Sequence, residues 1–377
     1  MRAELQISPK IIHWIADLEQ ITPQVLADEL APKKADDFLN GILTKTTATK
    51  LAKRANIPFG YLFLQTPPKI QKPDIPDLRQ VVGAEPLSKD FFDVLQDIRY
   101  KQDWFKDYLI EQGHEALSFV GKFQLHEKRT PNDVARDILK TLGINNLLEQ
   151  IKKLRRDDYF KFLTKEFERI GILVFKSGVV KHNNSRTLSV NEFRGFALVD
   201  PIAPVIFING SDYQAAQLFT LIHEVAHIWI GVSGVSSWNQ EQNVESFCNK
   251  VAAEFLMPTV EFCRYWQADN REQSIEVLVT LFKVSRFAII IKAVTLGLLA
   301  QSEIAKEREK LRNLEKSNSS GGGDFHNTVK VRQSPRFSDT VINQAISQHI
   351  PLREAGKLLN IRADTLMAIY RKRQGKV

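Results

Sequence analysis

The chain has 377 residues, 43% of them hydrophobic, which allows two or three domains with filled cores. Two cysteines, Cys248 and Cys263, exclude a disulfide framework and fit a reducing cytoplasm, and the opening MRAELQISPKIIHW lacks a signal-peptide pattern. The net charge is +8, and from Ser317 onward ten Lys and Arg face four Asp and Glu, so most of the excess sits in the last stretch, which reads as a solvated basic helical surface.

In chain order, the first 66 residues are expected to be all-helical. The segments are SPKIIHWIADLEQ, TPQVLADELA, PKKADDFLNG and TATKLAKRANIPFGYLFL, with Ser8 and Thr22 as N-caps, each followed by Pro at the first helical position. The Pro-rich QTPPKIQKPDIPDLRQ (65–80) cannot continue a helix and reads as a linker. Amphipathic helices follow over 90–113 and 157–171. The stretches 172–178, 188–200 and 203–210 are rich in β-branched and aromatic residues bounded by turn residues, which predicts three short strands.

A helix is expected over LFTLIHEVAHIWIG (218–231), then a loop over GVSGVSSWNQ, then a helix from about Gln242 to the stop at Pro258. Further helices occupy 259–316. Among them FAIIIKAVTLGLLA (287–300) is too short to span a bilayer, is interrupted by Lys292, and reads as buried. The run SNSSGGGDF (317–325) separates a last helical segment over 338–372.

The chemistry concentrates in the helix at 218–231. Residues four apart in an α-helix share a face, so His223 and His227 point both imidazoles at one place, with Glu224 about 100° round the axis. Two imidazoles with a neighbouring general base suit a catalytic Zn²⁺, which takes three protein ligands and keeps a position open; a buried helix with two hydrogen-bonded histidines is the competing reading. The third ligand is sought among Glu241, Glu245, Glu254 and Glu261 on the next helices. That helix carries an apolar stripe at Val244, Phe247, Cys248, Val251, Ala252 and Phe255. Glu245 shares the stripe's side, whereas Glu254, nine residues later, points the opposite way and is expected in water. Glu245 is therefore the expected ligand, and Cys248 reads as a small buried hydrophobe rather than a fourth one.

These residues carry a resemblance. EFRGFALVDPIAPVIFING, FTLIHEVAHIWIG, SGVS and VESFCNKVAAEFLMP resemble the ImmA/IrrE family of zinc metallopeptidases, whose third-ligand glutamate stands four residues before an asparagine, as Glu245 stands before Asn249. LAKRANIPFGYLFLQTPP resembles the XRE-type helix-turn-helix module often fused ahead of such peptidases. The stretch that should be its recognition helix departs from the pattern, because Asp36 and Asp37 balance Lys33 and Lys34, so its charge does not favour direct DNA binding.

The resemblance implies an α+β fold: a zincin-like domain of a short mixed sheet and zinc-binding helices at 166–300. It would be preceded by a degenerate helix-turn-helix-like domain at 1–66 and a linker with a helical segment at 67–165, and followed by a helical basic region at 301–377. It also implies a cytoplasmic zinc endopeptidase, with His223, His227 and Glu245 as ligands and Glu224 as general base, acting on a DNA-binding regulator such as a repressor or antitoxin-like partner, with no membrane involvement. The strand APVIFING is expected to pair with an extended substrate. Arg194 and Tyr213 read as a surface pair and a core aromatic rather than as oxyanion donors. The rival class is a transcriptional regulator or partner-binding protein with a structural zinc site and no proteolysis.

Overall fold

The computed structural model describes residues 4–19, 21–55, 57–68, 87–123, 129–232, 238–315 and 333–373. They fall into two units, one within Met1–Asp74 and Glu85–Asp93, the other within Ile75–Ala84 and Val94–Val377. The glycine run at 321–323 and most of the Pro-rich stretch 65–80 lie outside the described residues.

The first unit is not all-helical. Strands β1 (Glu4–Gln6) and β2 (Ile42–Thr44) pair antiparallel, with Leu5 opposite Leu43. Around them stand α1 (Pro9–Leu18), α2 (Pro23–Leu30), α3 (Ala35–Leu39) and α4 (Lys45–Arg54), followed by a 3₁₀ turn at Phe59–Phe63. The all-helical reading misses these strands because three-residue ladders are too short to show alternation. Thr22 caps α2 by accepting from Val25 N–H. Ser8 stands at the start of α1, but its hydroxyl donates to Gln65 C=O instead of capping. Ile11, Ile15, Leu26, Phe38, Leu51 and Leu62 fill the core.

The second unit is α+β, built on a mixed sheet of three strands. β3 (Leu173–Ser177) runs parallel to β7 (Val205–Asn209), and β6 (Gly195–Leu198) runs antiparallel to β7's other side. A separate hairpin, β4 (Val179–Val180) and β5 (Asn183–Thr187), lies between β3 and β6 in sequence. Its turn residues, Lys181 and His182, both hold positive φ (45° and 64°), the geometry of a tight two-residue hairpin ordinarily signalled by Asn-Gly, so Lys-His carries no cue for it. The strand expected over 188–200 is confined to Gly195–Leu198, and β7 is the central strand with both edges paired, so APVIFING has no free edge for a substrate.

Both faces of the sheet are covered, which is why β7 is apolar without alternation. One row, Val174, Ile206, Ile208 and Ala197, joins the core around α9 (Gln214–Ile230). The other row is aromatic: Phe175, Phe207 and Phe196 stand side by side in register, with Phe207 and Phe196 stacked at 5.1 Å. Against that aromatic face lie α5 (Lys89–Glu111) and the C-terminal helix Pro335–Ile346, which is followed by helices Leu352–Leu359 and Ala363–Arg373. Phe337 is fully buried there, with its ring 5.5 Å from Phe175, 5.9 Å from Trp104 and 6.0 Å from Phe105. Helices α6 (Pro131–Thr141), α7 (Leu147–Ile151) and α8 (Arg156–Arg169) precede the sheet; α10 (Trp238–Leu256), α11 (Thr259–Tyr265), α12 (Arg271–Phe282), α13 (Arg286–Thr295) and α14 (Ser302–Glu315) follow α9. Helix α10 begins four residues earlier than its apolar pattern predicts, and no described helix is long and apolar enough to cross a membrane.

Candidate metal centre

Helix α9 is buried along almost its whole length, from Leu218 to Ile230, apart from the partly exposed Phe219. Its entry is fixed by Gln217, whose amide donates to the carbonyls of Gly210 and Asp212. Its exit is fixed by Gly231, which takes the left-handed conformation (φ 76°) that ends helices at low cost for glycine. A side chain at Gly231 would also strike Gly121, because segment 117–123 crosses the helix end there. Gly121 N–H and Phe123 N–H donate to the carbonyls of Ile228 and Trp229, satisfying groups that a buried helix terminus would otherwise leave unpaired. Trp229 donates from its indole to Asp137 at 3.0 Å, and Phe119 stacks on it at 4.5 Å. Asp137 and Phe119 hold the histidine-bearing helix in place, yet neither stands out in the sequence, since their partners lie about 90 and 110 residues downstream.

Helix α10 packs along α9 through Val244, Cys248, Val251, Ala252 and Phe255, all buried. From this helix Glu245 reaches the histidines. One carboxylate oxygen lies 3.1 Å from His223 Nε2, the other 3.1 Å from His227 Nε2, and the two Nε2 atoms are themselves 3.1 Å apart. His223 Nδ1 lies 3.0 Å from Asn249 Oδ1, one turn beyond Glu245; as the donor in that bond it leaves the Nε2 lone pair facing inward. Two imidazole Nε2 atoms and a carboxylate thus converge on one point in a buried setting, a donor set that could hold a metal ion. The exposure of His223, Glu224 and His227 is 5%, 1% and 1%. With the imidazoles protonated instead, burial pushes the Glu245 carboxyl up, but their hydrogen bonds and charge outweigh it and hold the group well below the ordinary carboxylate range.

The other candidate ligands are elsewhere. Glu254 does point away from Glu245, but it does not face water: it accepts from Thr259 N–H and hydroxyl and pairs with buried Lys292 of α13 at 2.7 Å. The expectation fails because the packing partner comes from a helix 38 residues away, beyond what one helix's periodicity can show. Glu261 pairs with Arg264, the Glu241 side chain lies outside the described residues, and Cys248 is fully buried in the apolar core. Arg194 pairs with Asp212 at 3.3 Å, and Tyr213 is 69% exposed at the start of α9 rather than in the core.

Residues 167–293, about a third of the chain, match the family of peptidases described as the IrrE N-terminal-like domain, which supports placing this segment in the ImmA/IrrE family. That match encloses β3 to β7, α9 and α10. Residues 333–372 match a second family, described only as a domain of unknown function. No curated protein matches the chain.

Proposed function

We propose that this chain is a zinc endopeptidase of the cytoplasm that cleaves a regulatory protein, a repressor or an antitoxin-like partner. One observation carries the reading: Nε2 of His223, Nε2 of His227 and the Glu245 carboxylate converge at 3.1 Å, while Glu224, one residue from the first ligand, is buried beside them without being needed as a ligand. A purely structural zinc site ordinarily closes with four protein ligands and has no use for a base. Zinc, when bound, supplies the Lewis acidity that polarises a peptide carbonyl and acidifies water. Glu224 takes the proton from water and delivers it to the leaving amine, and Asn249 keeps the His223 ring in the tautomer that faces the ligand point. Strand β6 is the sheet edge beside α9, since Gly195 leaves room for Thr220, and of the two edge strands, β3 and β6, it is the one we assign to pair with an extended substrate. The regulatory substrate rests on the family resemblance.

Protein purified without added metal is expected to carry one zinc per chain by elemental analysis; no metal even after zinc is supplied removes the enzymatic reading. Glu245→Gln is expected to lose the metal. Glu224→Gln is expected to keep it and to slow cleavage of a co-expressed neighbouring regulator by about 100-fold or more, read as fragments on a blot. A Glu224→Gln protein that still relieves repression in full would favour a binding regulator instead.

A further inference from the structure

The region matching a domain of unknown function contains two helices whose junction is informative. Helix Leu352–Leu359 ends at Asn360, which holds the left-handed conformation (φ 55°, ψ 34°), and the next helix, Ala363–Arg373, starts after a three-residue turn. Ile361 N–H donates back to Gly356 C=O at 2.9 Å, folding the turn tightly over the first helix. Gly356 sits under that fold, and any side chain there would come within 2.8 Å of Ile361 C=O. Ala355, Leu358 and Leu359 of the first helix and Leu366 of the second are buried between them. A small residue under the turn, a left-handed residue within it and a buried apolar set on both sides define a helix-turn-helix.

The pair is also anchored and charged in a particular way. Asn360 donates to both carboxylate oxygens of Asp97 (2.8 and 3.0 Å), Leu359 C=O accepts from Gln333, and Lys357 lies 4.4 Å over the Tyr100 ring. These contacts hold the first helix and the turn against the body of the unit. The second helix packs on the first through Leu366 and leaves Asp364, Ala368 and Arg371 in solvent; Arg362, in the turn before it, is exposed too. From Pro351 to Val377 seven Lys and Arg face two acidic residues, and Arg371, Lys372 and Arg373 follow one another at the end of the exposed helix.

We infer that Leu352–Arg373 is a DNA-binding helix-turn-helix whose second helix enters the major groove of duplex DNA. A polyanion is the occupant its charge complements, and an eleven-residue helix with an exposed flank fits that groove. Arg362 and Asp364, at the start of the helix, face base edges, Asp364 as an acceptor for a cytosine amino group, and Arg371 faces phosphate.

The test is fluorescence anisotropy of a labelled mixed-sequence duplex against the full-length protein over a salt series. Binding is expected at low salt and to weaken linearly in log–log terms; the Arg362→Ala/Arg371→Ala variant should bind about tenfold or more weakly, with a slope shallower by about one per cation removed. Ala368→Glu changes only an exposed position, so it leaves folding intact, checked by circular dichroism, and should cut affinity by a similar factor. Lys33→Ala/Lys34→Ala in the first unit should bind as wild type does. No binding by wild type at low salt, unchanged binding by Ala368→Glu, or loss confined to the Lys33/Lys34 variant each overturns the assignment. The same series on Glu224→Gln protein separates this result from the fate of the peptidase reading.

Discussion

Each end of the chain carries a pair of short helices joined by a tight turn, and the two pairs differ where it matters. In the first unit α2 leads to α3, a helix of five residues with Asp36 and Asp37 in its first turn, and Lys34 is taken up by Glu4 and Asp37, each at 3.3 Å. At the other end the second helix has eleven residues, a single Asp364 in its first turn, exposed Arg371 on its flank with Arg362 just before it, and a glycine-to-asparagine turn ahead of it. Resemblance to an XRE-type module points to the first pair, whose charge already counts against DNA binding; length, charge and turn geometry favour the second. Nucleic-acid recognition is a property of what a helix can present to a groove, and a helix of five residues spans only about 7–8 Å.

The contrast can be tested by loosening each pair. The largest effect is expected from Asp97→Ala. Lys101, 2% exposed and paired with Asp97 at 2.6 Å, would be left without a counterion while Asn360 loses its acceptor. Breaking such a buried pair costs about 3–5 kcal/mol. Hydrogen exchange should then rise across 352–373 and stay unchanged in α1 to α4. Next in size is Gly356→Ala, whose methyl meets backbone 2.8 Å away and should lower the melting temperature at a cost of about 1–3 kcal/mol, whereas Gly60→Ala in the first unit, with nothing within 4 Å, should not.

A third effect depends on pH. Burial pushes the Glu168 carboxyl up to about 7, against bonds from Ser334, Arg336 N–H and Val174 N–H that favour its ionised form. Unfolded, the group releases its proton near 4.5, so between those values the folded state holds the extra proton. Its contribution is therefore full below about pH 4.5 and is lost as pH rises through 7, by about 1–3 kcal/mol. Glu168→Gln should flatten that dependence, followed by fluorescence of Trp104, which packs on Phe337. The smallest effect is expected from Lys34→Ala. Its pairs are exposed on both sides, so the melting temperature should not move measurably, and a clear loss would show that α3 is held more firmly than its contacts imply.

Much of the site was legible because it obeys one helix's period. His223 and His227 share a face, and the stripe on α10 put Glu245 on the side that meets them. What sequence could not show depends on partners brought from afar. Glu254 found Lys292, Trp229 found Asp137, and β7 became central only when β3 and β6 closed on its two edges. The C-terminal turn was hidden for a different reason. Asn360 takes the left-handed place that glycine usually advertises, so the segment read as one basic helical stretch.

Helix α10 has a further consequence. Glu245 and Glu254 stand nine residues apart, half a revolution in azimuth and about 13.5 Å along the axis. The far carboxylate is clamped by Lys292 and Thr259, and a rigid helix transmits that clamp as a torque: any roll that slackened Glu254 would swing Glu245 off the histidines by the same angle. The helix is a crankshaft locked at one journal so that the other stays aligned, and an ion pair that touches neither histidine helps keep the Glu245 carboxylate turned toward them.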